Sequence, residues 1–466
     1  MHINKGIYII AIFFFCMLAG RAQQITLSNE INFRSEDGFS LLGQVNDTIL
    51  LFRESNYKYS IDVLNDKLEF LFKKELFFEK QKIHFNAIQP GKNDFAIFYS
   101  YESKFQLFMK VIHYDLRGNP LDTVELFEEP DFLNEDNFSF VLSEDEQMVM
   151  LFRESKYNTL ECILYDVQNR QKLWYNTIEF ENYRLNYDLK GILVSNEALL
   201  VLAFEKYNSS FRKSKHFQEL YMVDPYLGKT EIRKIDFDSK LSVSFNFAID
   251  EKNGEIIVAG LYAPKSTSKA AGYYLYKLNP KGITQELLFN DFSKELLMKH
   301  KGKKRNPKLY IPDLNVKDLV LRNDGGLLMV TEMQKEVSRE NMRRRYIDYH
   351  YEDMVVVAIH PDGDLFWDDL IRKYQLSYDD DARFSSYFLF KSPSRLRIIF
   401  NDEIKSENTI SEYLFNPLGY GVRNSLFSTD LHRLKLLFED AIQLSSNSFI
   451  VPSMYNNKYR IIKLSY

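Results

Sequence analysis

Short apolar runs recur along the chain, and they do not alternate with polar residues. They are ILLF (49–52), FAIFY (95–99), MVMLF (148–152), LLVLAF (199–204), IIVAGLY (256–262), LLMVTEM (327–333), LRIIF (396–400) and FIVPSMY (449–455). A strand with one face in solvent alternates, whereas a strand covered on both faces is apolar throughout. Successive runs begin 46 to 71 residues apart, which indicates one supersecondary unit repeated along the chain.

Each run lies within the same order of segments. A short apolar segment and a polar turn precede it, and two further strands follow it, the first of them usually ending in a Gly, Asn or Pro turn such as LRGNP (116–120) or NPLG (416–419). Four antiparallel strands in a unit of this length are typical of a β-propeller blade. The sequence therefore predicts an all-β fold, a β-propeller of four-stranded antiparallel blades. Eight units are counted, and seven blades are the alternative if one unit is misread.

The two ends of the chain complement each other. The last unit stops at Tyr466, directly after its third strand, and the segment ITLSNEINF (25–33) lies before the first unit, which begins near Gly38. We expect the N-terminal strand to pair with the C-terminal blade as its missing outer strand. Such closure would remove the sheet edges that otherwise invite aggregation.

One unit carries a more specific pattern, from NDGGLLMV (323–330) through YEDMVVVAIHPDGDLFWDDLIRK (351–373). It resembles the blades of secreted β-propeller repeat proteins of Bacteroidetes, most of which have no assigned activity. The resemblance covers mainly residues 323–373 and implies export and a propeller fold. It supplies no catalytic residues to transfer.

The N-terminus has the features of a secretory signal. Lys5 precedes the apolar run IYIIAIFFFCMLA (7–19), and the small residues Gly20 and Ala22 suit cleavage before Gln23. An uncleaved anchor is the alternative, but the run is shorter than the roughly 20 residues that a bilayer span requires. We therefore expect a signal peptide at 1–22 and a single propeller domain at 23–466, exported to the periplasm or the extracellular envelope. No later segment of the sequence is long and apolar enough to cross a membrane.

Charge and cysteine content narrow the possibilities further. Without Lys5 and Arg21 the chain has 58 basic and 65 acidic residues, a formal charge of −7, which argues against general nucleic-acid binding. The mature chain keeps one cysteine, Cys162, in the apolar run LECILY, so we expect a buried structural thiol and no internal disulfide.

Two basic segments explain the longest spacings, namely 293–308 and 334–346. The first enters the sixth unit and the second joins the middle strands of that unit, so both belong to one face of a propeller and are expected side by side. They predict a positive patch for an anionic glycan, lipid phosphate or protein partner. The alternative is a pair of solvated loops. The candidate residues are Lys299, Lys301, Lys303, Lys304, Arg305, Lys308, Arg343, Arg344 and Arg345.

Two further groups of charged residues belong to the same predicted rim. Asp379, Asp380 and Asp381 suggest either a Ca²⁺ site or, more consistently with their consecutive spacing, ion pairs with the basic segments. Arg53 and Arg153 follow the apolar runs of the near-repeats LFRESNY and LFRESKY. Together with Tyr and Lys at equivalent positions they suggest a ligand ring, although ordinary turn polarity explains them equally well.

Catalytic motifs find little support. The histidines are scattered without H-x-H or H-E-x-x-H spacing, and there is no G-x-S-x-G elbow. We therefore predict a secreted, monomeric, non-catalytic binding or scaffold propeller with no cofactor and no metal. The alternative is a polysaccharide-active hydrolase or lyase with its site at the channel mouth, since propeller enzymes collect residues from different blades.

Overall fold

A computed structural model describes residues 23–466 apart from 105, 131–137, 156–157, 212–213, 280–285, 303–309, 341–344, 403–408 and 430–432. The predicted signal peptide at 1–22 lies outside the described residues. Within them the chain forms strands almost throughout, with two short α-helices, α1 (Leu185–Asp188) and α2 (Lys294–Lys301), and a 3₁₀ helix at Phe438–Asp440.

The described strands form eight antiparallel sheets of at least four strands, numbered here in chain order. The first two are β3 (Gly38–Val45), β4 (Thr48–Ser55), β5 (Lys58–Asn65) and β6 (Phe70–Leu76), then β7 (His84–Pro90), β8 (Asp94–Ser103), β9 (Gln106–Asp115) and β10 (Pro120–Pro130). The third and fourth are β11 (Ser139–Leu142), β12 (Met148–Ser155), β13 (Thr159–Asp166) and β14 (Gln171–Glu179), then β15 (Leu189–Val194), β16 (Leu200–Lys206), β17 (Phe217–Asp224) and β18 (Lys229–Asp236).

The fifth and sixth sheets are more elaborate. The fifth consists of β19 (Leu241–Asp250), β20 (Glu255–Ala263), β22 (Gly272–Leu278) and β23 (Leu288–Asp291), and a separate two-stranded sheet joins β21 (Lys269–Ala270) to β24 (Ile311–Pro312). The sixth consists of β25 (Leu314–Leu321), β26 (Leu327–Glu340), β27 (Arg345–Ile359) and β28 (Leu365–Ile371), with β29 (Gln375–Tyr378) also paired to β27.

The last two sheets complete the chain. The seventh consists of β30 (Phe388–Ser392), β31 (Arg395–Asn401), β32 (Thr409–Phe415) and β33 (Gly421–Ser428). The eighth combines β34 (Ile442–Ser445), β35 (Ser448–Tyr455) and β36 (Lys458–Ser465) with β1 (Gln24–Leu27), while β2 (Ile31–Asn32) also pairs with β36. Every predicted apolar run is the second strand of one of these sheets, so the predicted four-stranded units are confirmed.

The apolar runs lack alternation because each second strand is covered on both faces. In β4, Ile49 and Leu51 pack with residues of the eighth sheet, whereas Leu50 and Phe52 pack with residues of the second. Successive side chains of a strand point to opposite faces, so a neighbouring sheet on each side makes both sets apolar. The fourth strands lie outermost, and β6 and β18 are mostly exposed.

Seven apolar clusters of the described residues each combine two sheets that are neighbours in chain order, and an eighth, around Ile49 and Ile450, combines the eighth sheet with the first. The core is therefore divided among the sheet interfaces. Sheets packed face to face in sequence, each a four-stranded meander, make this an all-β protein of the β-propeller type.

The predicted pairing of the chain ends is present. Strand β1 pairs with β36 from Gln24↔Ser465 to Leu27↔Ile462, and β2 continues the pairing at Ile31↔Tyr459. Between the two strands Ser28 donates its backbone N–H to Ile461 O at 2.9 Å, and the Ser28 hydroxyl accepts from Ile461 N at 2.9 Å. The N-terminal segment thus supplies the outer strand that the eighth sheet lacks.

The predicted burial of Cys162 and the helices of the chain can be described in the same terms. Cys162 is buried, as expected, and burial raises the pKa of its thiol to about 12, so it stays protonated at neutral pH. None of the helices in the described part of the chain has the length and apolar character of a membrane span.

Candidate functional site

The upper end of the sixth sheet differs from those of the other sheets in the described part of the chain, because its β26 and β27 are the longest strands there. We call upper the face that carries the connections between sheets and the loops between second and third strands, which antiparallel strand order places together. Strands β26 and β27 continue past the core with pairs from Gln334↔Tyr351 to Glu340↔Arg345. Strand β29 pairs with the other side of β27. A three-stranded extension, described at residues 334–340, 345–351 and 375–378, therefore leaves the upper face.

The side chains of this extension are mainly charged and aromatic. Arg339 forms an ion pair with Asp348 and lies over the ring of Tyr378 at 5.7 Å from its centroid. Tyr346 and Tyr378 are both more than one third exposed. Charge on an otherwise free strand edge discourages indiscriminate pairing with other chains, and exposed tyrosines are favourable contact groups for a partner.

The first basic segment begins with helix α2, which is fixed to the outer strand of the sixth sheet. Ser293 caps the helix by accepting from Leu296 N at 3.0 Å, and Asp368 accepts from the Ser293 backbone N–H at 2.9 Å and hydroxyl at 2.5 Å. Burial raises the pKa of the Asp368 carboxyl above its ordinary value. At the last turn Lys299 forms an ion pair with Asp369 at 2.6 Å.

The structure describes some of the predicted basic residues and not others. Lys303, Lys304, Arg305, Lys308, Arg343 and Arg344 lie outside the described residues, so their side-by-side arrangement stays a prediction. Arg345 is exposed at the tip of the extension and donates to the Ser338 hydroxyl at 2.6 Å. Arg372 joins the end of α2 to the base of the extension, because it bonds both Lys299 O and Asp353.

The acidic run at 379–381 contacts β27 of the extension through two hydrogen bonds. Asp379 accepts from Ile347 N at 2.8 Å, and Asp381 accepts from the Tyr349 hydroxyl at 3.3 Å. The expected approach is thus present, but these two bonds go to a backbone amide and a tyrosine, not to the basic side chains. No group of three or more His, Cys, Asp or Glu among the described residues has the arrangement of a metal site.

The charged residues at the upper ends of the second strands are engaged in internal pairs. Arg53 bonds Asp62 at 3.0 Å, Arg153 bonds Glu161 at 2.6 Å, and Glu205 accepts from His216 at 3.2 Å. Arg153 is buried and lies over the rings of Phe127 and Phe138, while the Arg53 side chain is 20% exposed. Both arginines are thus bound within their own sheets.

In the sixth sheet the equivalent position holds Glu332, which forms a fully buried ion pair with Lys373. Lys373 also donates to Gln375 Oε1 at 2.6 Å. The Ser386 hydroxyl and Gln334 donate to Glu332 at 3.0 and 2.7 Å. Burial lowers the pKa of the Lys373 ammonium, so the surrounding acceptors are needed to keep it charged. No sequence motif marks this network, because its members come from three separate segments.

A cleft of about 370 Å³ opens between the first strands of the sixth and seventh sheets, below the 3₁₀ helix. Lys317, Asp318, Tyr387 and Glu439 line it. Tyr387 donates to Asp318 at 2.5 Å, and burial together with that carboxylate raises its pKa well above the ordinary range. Burial also raises the pKa of Glu439. Tyr387 is accordingly a hydrogen-bond donor and not a phenolate nucleophile.

Comparisons with known proteins add structural likeness only. No protein-family model matches the chain, and no curated protein matches it. Solved structures similar to it include BamB from Moraxella catarrhalis, at 10% identity and a TM-score of 0.40 over 95% of this chain and 100% of that one. Another is the β-propeller domain of Nup133 from Vanderwaltozyma polyspora, at 8% identity and a TM-score of 0.39 over 81% and 99%. Likeness at this level assigns no function, and the fold assignment rests on the sheets themselves.

Proposed function

We propose that this chain is an exported, non-catalytic binding or scaffold protein built as a closed eight-bladed β-propeller. The eight interface clusters, the last joining the eighth sheet to the first, support the blade number. Pairing of β1 with β36 supports closure. The apolar segment at 7–19 and the resemblance over 323–373 support export to the periplasm or the outer envelope.

The extension of the sixth sheet carries the binding proposal. It is the place where a hairpin leaves the upper face as a three-stranded structure with exposed Arg345, Tyr346 and Tyr378. Tyr351 and Arg345, the two ends of the extension on β27, are six positions apart, which corresponds to about 20 Å of strand. An extension of that length presents a surface beyond the core. The basic segments at its base and tip favour an anionic glycan, lipid phosphate or acidic protein surface as the partner.

The test compares two proteins with the same loss of charge. Replacing Arg343, Arg344 and Arg345 with Ala removes the tip of the predicted patch, and we expect weaker binding to polygalacturonate and poly-glutamate with a shallower salt dependence. The control replaces Lys229, Arg233 and Lys234 with Ala on the exposed outer strand of the fourth sheet. Equal binding by both triple variants would contradict the proposed face.

A second function, a polysaccharide hydrolase or lyase, is favoured by one observation. Asp318 and Glu439 line the same cleft, and the raised pKa of Glu439 suits a general acid. Release of reducing ends or unsaturated products from polygalacturonate would reveal such an activity. It should disappear in Asp318→Asn and Glu439→Gln and persist in Glu181→Gln, an exposed acid on the upper face. Absence of turnover by the unaltered chain leaves the binding function as the better account.

A further inference from the structure

A second cleft, of about 440 Å³, lies on the opposite, lower face between the sixth and seventh sheets. It is bordered by the first turns of the two sheets, 322–326 and 392–395, and by the outer turn at 416–417. Its volume is within the range of about 300 to 1,000 Å³ typical of small-ligand pockets.

The cleft lies at a boundary where the described lower turns are not hydrogen-bonded to each other. At six of the seven other boundaries, the described lower turns or adjoining strand ends of neighbouring sheets are hydrogen-bonded, through Asn46–Asn93, Gln89–Glu146, Asp145–Asn196, Asn196–Glu251, Lys252–Asn323 and Lys391–Gln443. Among the described residues, turns 322–326 and 392–395 make no such bond to one another. The sixth and seventh sheets are hydrogen-bonded instead at the outer strand β28, where Trp367 Nε1 donates to Pro417 O at 3.4 Å.

The walls of the cleft are apolar and preformed. Leu396 and Phe415 are buried beneath it, and Leu328 packs against the same cluster. Trp367 stacks on Phe415 with a ring separation of 5.7 Å and an interplanar angle of 10°. Gly419 lies so close that a Cβ there would meet the indole at 2.5 Å, so the tryptophan is fixed as a wall. An apolar group of limited size is the natural occupant.

The rim of the cleft is positive on a protein whose formal net charge is negative. Three cations and one acid line it, and the acid, Asp324, is already bound to Arg322 at 2.5 Å. The side chains of Lys391 and Arg395 are exposed and have no ion-pair or hydrogen-bond partner among the described residues. A carboxylate would satisfy them. Ser394 and Asn416 at the same rim offer polar groups to a peptide backbone, which a simple acyl chain would leave unused.

We propose that the lower cleft binds the C-terminal residue of a peptide chain, with its apolar side chain between Trp367 and Leu396 and its carboxylate at Lys391 and Arg395. Capture of a C-terminal carboxylate is an established mode of peptide recognition. This site is separate from the upper extension, so it stands or falls independently of the function proposed above.

The experiment exploits the presence of only two tryptophans, Trp174 and Trp367. In a Trp174→Phe background the fluorescence of Trp367 reports on the cleft, and calorimetry on the unaltered chain repeats the titration without that substitution. The probes are N-acetyl-Gly-Ala-Leu as free acid, the same tripeptide as C-terminal amide, and decanoate. We expect saturable binding of the free acid and at least tenfold weaker binding of the amide.

Variants locate the carboxylate. Lys391→Gln with Arg395→Gln should weaken binding of the free acid at least tenfold, while Arg117→Gln, an exposed arginine in a lower turn of the second sheet, should leave it unchanged. Equal binding of acid and amide, binding of decanoate alone, or an unaltered affinity in the double variant would each overturn the proposal. Failure of the unaltered chain to bind the free acid would overturn it as well.

Discussion

The third and sixth sheets both bury an ion pair near the upper end of the second strand, but they form it in different ways. In the third sheet Arg153 and Glu161 lie directly opposite each other on β12 and β13. In the sixth sheet Glu332 finds its partner in Lys373, which follows β28, and a further donor in Ser386 beyond β29. The ion pair of the third sheet is formed within one hairpin, whereas that of the sixth sheet requires a residue from the connection that follows the sheet.

The two hairpins also differ in length. Strand β12 ends at Ser155, two residues past Arg153, whereas β26 continues eight residues past Glu332 to Glu340. In the sixth sheet Lys373 also donates to Gln375 at the start of β29. The buried ion pair of the sixth sheet therefore lies at the base of the extension.

The largest effect should follow from removing Lys373. Lys373→Met leaves Glu332 buried without its counterion, and breaking such a pair typically costs about 3 to 5 kcal/mol. Urea unfolding measures the loss, and the double variant Lys373→Met with Glu332→Gln should recover part of it because the stranded charge is gone. A loss below about 1 kcal/mol in the single variant would argue against the pair.

The near-repeats LFRESNY and LFRESKY provide a matched pair of smaller effects. Arg153→Met should cost about 2 to 3 kcal/mol, because its side chain and that of Glu161 are both nearly inaccessible. Arg53→Met should cost about 1 kcal/mol, since solvent reaches the Arg53 side chain. Unfolding midpoints of the two variants under identical conditions decide the order, and equal losses would contradict it.

The fourth sheet allows a test by pH. Burial alone would raise the pKa of Glu205, but hydrogen bonds from His216 and Gln218 outweigh it and lower the pKa below the ordinary 4.5. A lowered pKa in the folded state means that its stabilisation is present above pH 4.5 and is lost as the pH falls through the folded-state value. Glu205→Gln should therefore flatten the acid side of the stability profile, which stability measurements across that range would detect.

The smallest effect should come from the extension itself. Arg339→Ala removes the ion pair with Asp348 and the contact with Tyr378. Asp348 is buried, but the Arg339 side chain is 60% exposed to solvent, and ion pairs with one such exposed partner add little to stability. The unfolding midpoint is expected to match that of the unaltered chain. A clear drop would mean that the extension is part of the folding core and not a separate surface.

The repeat architecture could be predicted because its cause is local. An apolar run such as ILLF at 49–52 has no polar positions, and only coverage on both faces accounts for that pattern. The pairing of β1 with β36 could be predicted by counting strands, because the last unit has three strands in the sequence and the segment at 25–33 belongs to no other unit. Basic residues at the sixth unit marked the place where the sheet departs from the others.

The partners of the charged residues could not be predicted in the same way. Arg153 was expected at a rim, yet its side chain is buried under Phe127 and Phe138, because hairpin register places Glu161 opposite it. Lys373 and Ser386 reach Glu332 across 41 and 54 positions of sequence. No pattern of spacing reveals which of many polar residues will meet at such distances.

The sequence by itself determined the strand content, the repeat and the order of the sheets, since these follow from which residues can be buried on two faces. It also determined the pairing of the N-terminal and C-terminal strands, which follows from the number of strands available. Only the tertiary structure decided which charges are satisfied inside and where the sheets part, because both depend on the register and packing of distant segments. The extension of the sixth sheet and the lower cleft beside it are products of that packing.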